Sequence, residues 1–269
     1  MITETIARTV PNPQEAAVQC EQEYAALLAM LRPLPADDWT RPTECPGWSV
    51  RDMVAHVTGA AEEAVRPTVQ ARHMAVARTR DRRLPVVDSL SAQQIAARVG
   101  RSPAELLAEL GQLASRAPRK RAAVPKLVRR TRLPAGVGAP QPGDTMAYLL
   151  DVIFTRDVWM HRIDIARATG CAMPESEAEP VIVAQIVRDL SRVWEGTPFT
   201  LTLTGRVTGT WAVGDHGAGA GRGGMVSVDT VALCRLLSGR TDETQPAYEG
   251  PGGPGAGVPE QLRGVRVLF

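Results

Sequence analysis

Apolar residues recur at helical spacing over residues 12–34, where Ala16, Ala17, Cys20, Tyr24, Leu27, Leu28 and Leu31 share one face. Pro33 and Pro35 end that helix. The turn-rich segment Asp37 to Trp48 reads as a loop. Ser49 then opens a second helix. Its Ser49-Val50-Arg51-Asp52 is a capping box, in which the hydroxyl accepts an orphan backbone N–H and the carboxylate reaches back. Val50, Met53, Val54, Val57 and Ala61 form the apolar face, and the helix runs to about Pro67 or on into residues 72–77. Ser91-Ala92-Gln93-Gln94 and Ser102-Pro103-Ala104-Glu105 predict two more helix starts, the second with proline at the first helical position. Leu106, Leu107, Leu110 and Leu113 follow as a core stripe. Residues 116–143 are basic and rich in Pro and Gly, which predicts a loop. A long helix without Pro or Gly runs from about Thr145 to Thr169, and Gly170 stops it. The N-terminal part is therefore a bundle of about four principal helices.

The pattern changes after residue 175. One more helix, Pro180–Trp194, leads into PFTLTLTG, an alternating β-branched strand. TGTWAVGD and MVSVD are two further strands, and Asp229 caps the helix TVALCRLLSG. The tail 244–263 carries few structural signals, and GVRVLF is read as a last strand. The fold class is α+β: a helical domain over 1–172 and a small α/β domain over 178–269.

Composition adds limits. The chain of 269 residues is 44% apolar and 22% charged with a net charge of +2, which suits a globular protein and gives no broad argument for nucleic acid. Only 4% of residues are aromatic, so aliphatic side chains must fill the core. The N-terminus has no apolar run after a basic start, and no stretch reaches the length of a membrane helix. Cys20, Cys45, Cys171 and Cys234 are far apart with no CxxC pair, which argues for a cytoplasmic chain with free thiols. Neither Cys45 nor Cys171 has a base nearby in sequence, so no protein nucleophile is assigned.

Of the four histidines, His56, His73, His161 and His216, two lie in well-defined helices. Asp157 and His161 are i and i+4 and share a face. His56 reaches the same point if its own helix packs antiparallel beside this one. Two readings follow from spacing alone. One is an i,i+4 hydrogen bond beside a partly buried His56. The other is a divalent metal ion held by three protein ligands with one position open, the arrangement of catalytic sites. Asp164, three residues past His161, is either the ligand in place of Asp157 or an outer acceptor for the imidazole N–H.

Three segments carry a resemblance. CPGWSVRDMVAHVTGA resembles the "PGW-(S/T)-V-x-(D/E)-(L/M)-x-x-H" helix start of the mycothiol-dependent maleylpyruvate isomerase family, within the DinB-like (YfiT-like) metalloproteins. TRDVWMHRIDIARATG resembles its "E-x-x-x-H-x-x-D" helix, and CRLLSGR its "L-x-G-R" ending. The resemblance implies a four-helix bundle, a divalent ion that is usually zinc, and often a small α/β C-terminal domain. Its two histidine ligands and one acidic ligand fall on His56, His161 and Asp157. The family's usual acid is Glu, so Asp157 is one methylene shorter. The resemblance also makes an arginine of the C-terminal part a plausible anion clamp, Arg240 at the L-x-G-R position or Arg235 before it.

The function expected is a metal-dependent thiol S-transferase or isomerase that uses mycothiol on a small, anionic electrophile, as monomer or homodimer. A thiol-free metalloenzyme of the same fold and a non-catalytic metal-binding or regulatory protein are the alternatives. Trp48 is read as an anchor for its loop, with a wall of the active-site mouth as the alternative. RAPRKRAAVPKLVRRTR, residues 116–132, is read as a solvated basic loop, and Gly217–Gly224 as a flexible link.

Overall fold

A computed structural model describes residues 10–80, 83–133, 144–214, 224–240, 246–250 and 257–269. His216, residues 217–223 of the Gly-rich link and 134–143 of the basic segment lie outside them. The chain forms two compact units, Pro11–Ala178 and, C-terminal to it, Glu179–Phe269. No helix among the described residues is long and apolar enough to cross a membrane.

The first unit is helical. α1 (Pro13–Leu31) starts on a capping box between Asn12 and Glu15, with Pro13 at its first position. α2 (Val50–Val65) starts on the Ser49–Asp52 box: Ser49 Oγ accepts from Asp52 N, and Asp52 accepts from Ser49 N. α3 (Pro67–Thr79) begins directly after it on Pro67, so the proline starts a new helix instead of ending the chain of helices. α4 is Val86–Ala96 and α5 is Pro103–Leu113, the latter on the Ser102–Glu105 box. The core is aliphatic, as the low aromatic content requires. Leu27, Leu31, Val50, Met53, Val54, Val57, Leu106 and Leu110 bury against Tyr24, Trp39 and Val158.

Three expectations for this unit are corrected. Ser91 does not start a helix. It lies inside α4, where its hydroxyl donates back to Val87 O at 2.9 Å. The basic segment is not a solvated loop: it forms α6 (Arg116–Ala122) and α7 (Lys126–Arg129). Two of its cations point inward. Arg121 lies over the Phe154 ring at 3.9 Å and donates to Ala60 O at 3.0 Å, and Arg129 pairs with the buried Asp151. Finally, the long helix is interrupted. α8 (Met146–Tyr148) passes through a π-turn, Leu149–Ile153, into α9 (Phe154–Thr169). Gly170 ends it in the left-handed conformation, as expected.

The second unit opens with α10 (Glu179–Val193). β1 (Phe199–Thr204), β2 (Gly209–Val213) and β3 (Met225–Asp229) match the three alternating segments. Sheet order is β2-β1-β3-β4, with β1 and β3 parallel and the outer pairs antiparallel. Asp229 caps α11 (Thr230–Leu237) through Val231 N and Ala232 N. The tail corrects the sequence reading twice. β4 (Ala247–Glu249) and α12 (Val258–Gly264) form where few signals stood, and GVRVLF is not a strand. Instead Val267 N donates to Leu237 O at 3.0 Å. The helical unit followed by a small sheet with helices makes the fold α+β.

Candidate metal centre

The Cys-Pro-Gly-Trp segment is a tight turn. Trp48 N donates to Cys45 O at 3.0 Å, Pro46 occupies the second position, and Gly47 has φ of 81° in the third. That is the type II pattern, in which the third position favours glycine. Backbone bonds from Thr43 N to Trp48 O and from Val50 N to Arg41 O close the loop against the start of α2. The turn aims the Trp48 ring at His56 on α2 and His161 on α9, with ring centroids 5.1 and 6.1 Å away. Trp48 thus walls the two imidazoles as well as anchoring its loop.

His56, Asp157 and His161 converge. Each offers a donor atom, and the three atoms lie within 4.8 Å of one another. His161 Nε2 is 3.2 Å from Asp157 Oδ1, and His56 Nε2 is 3.6 Å from Asp157 Oδ2. Donors bound ~2 Å from a tetrahedral ion sit roughly 3.3 Å apart, so the spacing fits one ion. The outer ring nitrogens fit as well. His161 Nδ1 faces Asp164 Oδ2 at 3.1 Å and His56 Nδ1 faces Gln94 Oε1 at 2.7 Å. An acceptor on the far nitrogen leaves the near one free to bind a cation. Asp164 therefore sits on the opposite side of the His161 ring from Asp157, in the outer-acceptor position. Cys45 Sγ also approaches Asp164 Oδ2, at 3.9 Å, and Cys45, His161 and Asp164 form a second close group on that side.

Electrostatics follow from the packing. Burial alone would push the Asp157 carboxyl up, but the adjacent imidazoles, His161 foremost, hold it far below the usual carboxylate range. Burial alone would lower His161, but the Asp157 charge, with hydrogen bonds to Asp157, Asp164 and Cys45, holds it well above an ordinary imidazole. In the metal-free protein the raised histidine adds stability below its unfolded value of about 6.5, lost as pH rises through its folded value. The depressed aspartate adds stability above its unfolded value of about 3.9, lost as pH falls through its folded value. Both contributions are complete between roughly pH 4 and 6.5. A cation must displace the proton from His161. Zinc titration of metal-free protein near neutral pH should therefore release protons, and apparent affinity should climb with pH. Calorimetry in buffers of different ionisation heat measures this. Zinc uptake with no proton release at any pH would contradict the assignment.

Other groups are unsuited to proton chemistry here. Burial pushes the Tyr24 phenol up to about 12 and raises the Cys20 thiol. Arg235 is buried on α11. Arg240 follows Gly239, whose φ of 81° closes the helix, and its N–H donates to Arg235 O at 3.0 Å while Gly239 N donates to Leu236 O. This pair of bonds is a Schellman motif, so the Leu-x-Gly-Arg ending has a helix-stopping role of its own. Both arginines belong to the C-terminal unit.

Sequence reasoning missed Gln94, which it placed in a capping box, and Glu63 behind it. A usable signal was Gly59, three residues after His56 in mid-helix. A Cβ there would come within 2.4 Å of Gln94 Cβ, so the glycine marks a close helix approach.

Comparison with known proteins agrees with this architecture. An uncharacterized protein of Mycobacterium tuberculosis strain H37Rv, Rv0036c, is 28% identical over 219 residues, covering 77% of this chain and 79% of its own. Its counterpart in strain CDC 1551, MT0041, matches equally. The crystal structure of a mycothiol-dependent maleylpyruvate isomerase has the same fold, with a TM-score of 0.53 at 17% identity, covering 91% of this chain and 97% of that one. A point mutant of such an isomerase aligns with a TM-score of 0.52 at 16% identity over the same shares. Residues 20–166, which include His56, Asp157, His161 and the tight turn between α1 and α2, match the model of the mycothiol maleylpyruvate isomerase N-terminal domain. The chain belongs to that family.

Proposed function

We propose that the chain is a cytoplasmic metalloenzyme that uses a small thiol, mycothiol by family, to isomerise or S-conjugate a small anionic electrophile. The observation that carries the reading is the convergence of His56 Nε2, His161 Nε2 and one Asp157 carboxylate, with both outer ring nitrogens already on acceptors. Among the described residues this group has three members, which leaves a tetrahedral ion one open position. A divalent ion bound there, zinc by family, would supply the positive charge that keeps a thiol ionised near neutral pH.

The chain's own residues do the rest. Two neutral imidazoles and a single carboxylate cancel only half the charge of a divalent ion, so the site favours an anionic fourth partner. The Trp48 ring covers the imidazoles and keeps water from competing on that side. Asp164 and Gln94 hold the rings in orientation. In this reading the bundle, taken as residues 1–172, is the metal-binding domain and 178–269 the α/β domain. Arg240 or Arg235 of the latter is the group we assign to a substrate carboxylate. In an isomerase the thiol sulfur adds to one carbon of an activated cis double bond, the resulting single bond rotates, and expulsion of the same sulfur restores the double bond in trans form and the thiol unchanged.

The test is turnover of maleylpyruvate, the substrate of the structurally similar isomerase, by zinc-loaded protein with and without mycothiol. Isomerisation that requires both zinc and the thiol is the expected result. Equal turnover without the thiol would overturn the thiol chemistry and favour a hydrolase- or lyase-like reaction.

A further inference from the structure

Behind His56 runs a chain of buried polar groups that no packing requirement explains. α2 carries His56 and Glu63 seven residues apart, on one face with Gly59 between them. His73 of α3, Gln94 of α4 and Glu63 are all nearly inaccessible, at 6%, 3% and 7% exposure. Gln94 Oε1 meets His56 Nδ1 at 2.7 Å, and Gln94 Nε2 donates to Glu63 Oε1 at 2.9 Å. His73 Nδ1 meets the same Glu63 oxygen at 2.7 Å. Gln93 Nε2 donates to His73 O at 3.1 Å and so ties α4 to α3 beside this chain. The missing Cβ of Gly59 lets α4 come close enough for Gln94 to reach both partners.

The chain has a direction. A carboxylate only accepts, so the Gln94 amide must turn its NH2 toward Glu63. Its carbonyl oxygen then faces His56. An amide oxygen also only accepts, so His56 must carry its proton on Nδ1, and the lone pair is left on Nε2, the atom that faces Asp157 and His161. We propose that Gln94 is a positioning residue: oriented by Glu63 and His73, it fixes His56 in the Nδ1–H tautomer that presents Nε2 to the metal centre. This rests on the metal-centre reading for its purpose. Its content is the state of one imidazole.

Two readouts test it. The first is nitrogen-detected NMR of His56 in metal-free protein in alkaline buffer. Wild type should show the Nδ1–H form, and Gln94→Leu should lose that preference. Glu63→Gln, a milder change that frees the amide to flip, should give a mixture. The second is Zn2+ affinity by chelator competition, which should fall about 10- to 100-fold in Gln94→Leu, the range for lost outer partners of metal-bound histidine. The double variant Glu63→Gln with Gln94→Glu reverses donor and acceptor between the two helices but keeps an acceptor on His56. It should restore both tautomer and affinity, which a purely structural role would not do. An unchanged tautomer and affinity in Gln94→Leu and Glu63→Gln would overturn the proposal. A wild-type protein that shows the Nδ1–H form but takes up no Zn2+ would uphold the relay and remove the metal centre instead.

Discussion

His161→Ala will lower divalent metal affinity by more than about 100-fold, beyond the range seen when only an outer partner is lost. His161 is the most committed of the three residues. Its ring is buried, its Nε2 is 3.2 Å from Asp157, and its Nδ1 is held by Asp164. Truncation removes the donor that faces Asp157 and leaves Asp164, fully buried, without its imidazole. The variant may be compared with His56→Ala, whose side chain is more exposed at 12% and whose loss disturbs the core less. Elemental analysis of purified protein and chelator competition give the stoichiometry and affinity, and circular dichroism checks the fold. Either variant retaining one ion per chain at wild-type affinity would remove the three-residue centre.

The second large effect concerns stability. Glu23 of α1 and Arg162 of α9 form an ion pair in which both side chains have no solvent exposure. Arg162 also donates to Pro174 O, so the guanidinium joins α1, α9 and the segment after α9. Glu23→Ala leaves that cation buried without its carboxylate, and breaking such a pair costs about 3–5 kcal/mol. At ~2–4 °C per kcal/mol for a domain of this size, Tm should fall by roughly 6–20 °C. The control is Glu21→Ala. Glu21 pairs with Arg119, whose side chain is 72% exposed, and such a pair is worth at most about 1 kcal/mol. Thermal and urea unfolding compare the two. Equal shifts would show that the buried pair does not hold the bundle together.

Much of this was legible in the sequence where structure is decided locally. The boxes at Ser49 and Ser102 set helix starts because cap and partner are three residues apart. Asp157 and His161 shared a face because helical pitch puts them there, and Gly170 and Asp229 marked an end and a start for similar reasons. The resemblance supplied what spacing could not, the meeting of His56 with that pair. The failures share a cause. Ser91-x-x-Gln94 has the local form of a capping box, but α4 begins five residues earlier and Gln94 is claimed by His56 and Glu63 on another helix. The basic segment looked solvated because no acid lies within it. Its partners, Asp151 for Arg129 and the Phe154 ring for Arg121, come from a later part of the chain. β4 is three residues long and exists through pairing with β3, which no pattern inside Ala247–Glu249 announces.

The π-turn at Leu149–Ile153 bears on how this chain lines up with its kin. A π-turn accommodates one surplus residue in a helix that otherwise keeps its hydrogen bonding. Here it contains Asp151, engaged with Arg129, and precedes the run from Asp157 to Asp164. A chain one residue shorter at this point would wind as plain α-helix, and the residues on either side would keep the faces they present here, because the wider turn has already absorbed the roughly 100° that one extra residue adds. The spacing of Asp157 and His161 would survive such a deletion, and Tyr148 would keep the interior position it now occupies. The gap in an alignment with a shorter chain therefore belongs inside this turn, and with it placed there the residues before and after it keep one common phase.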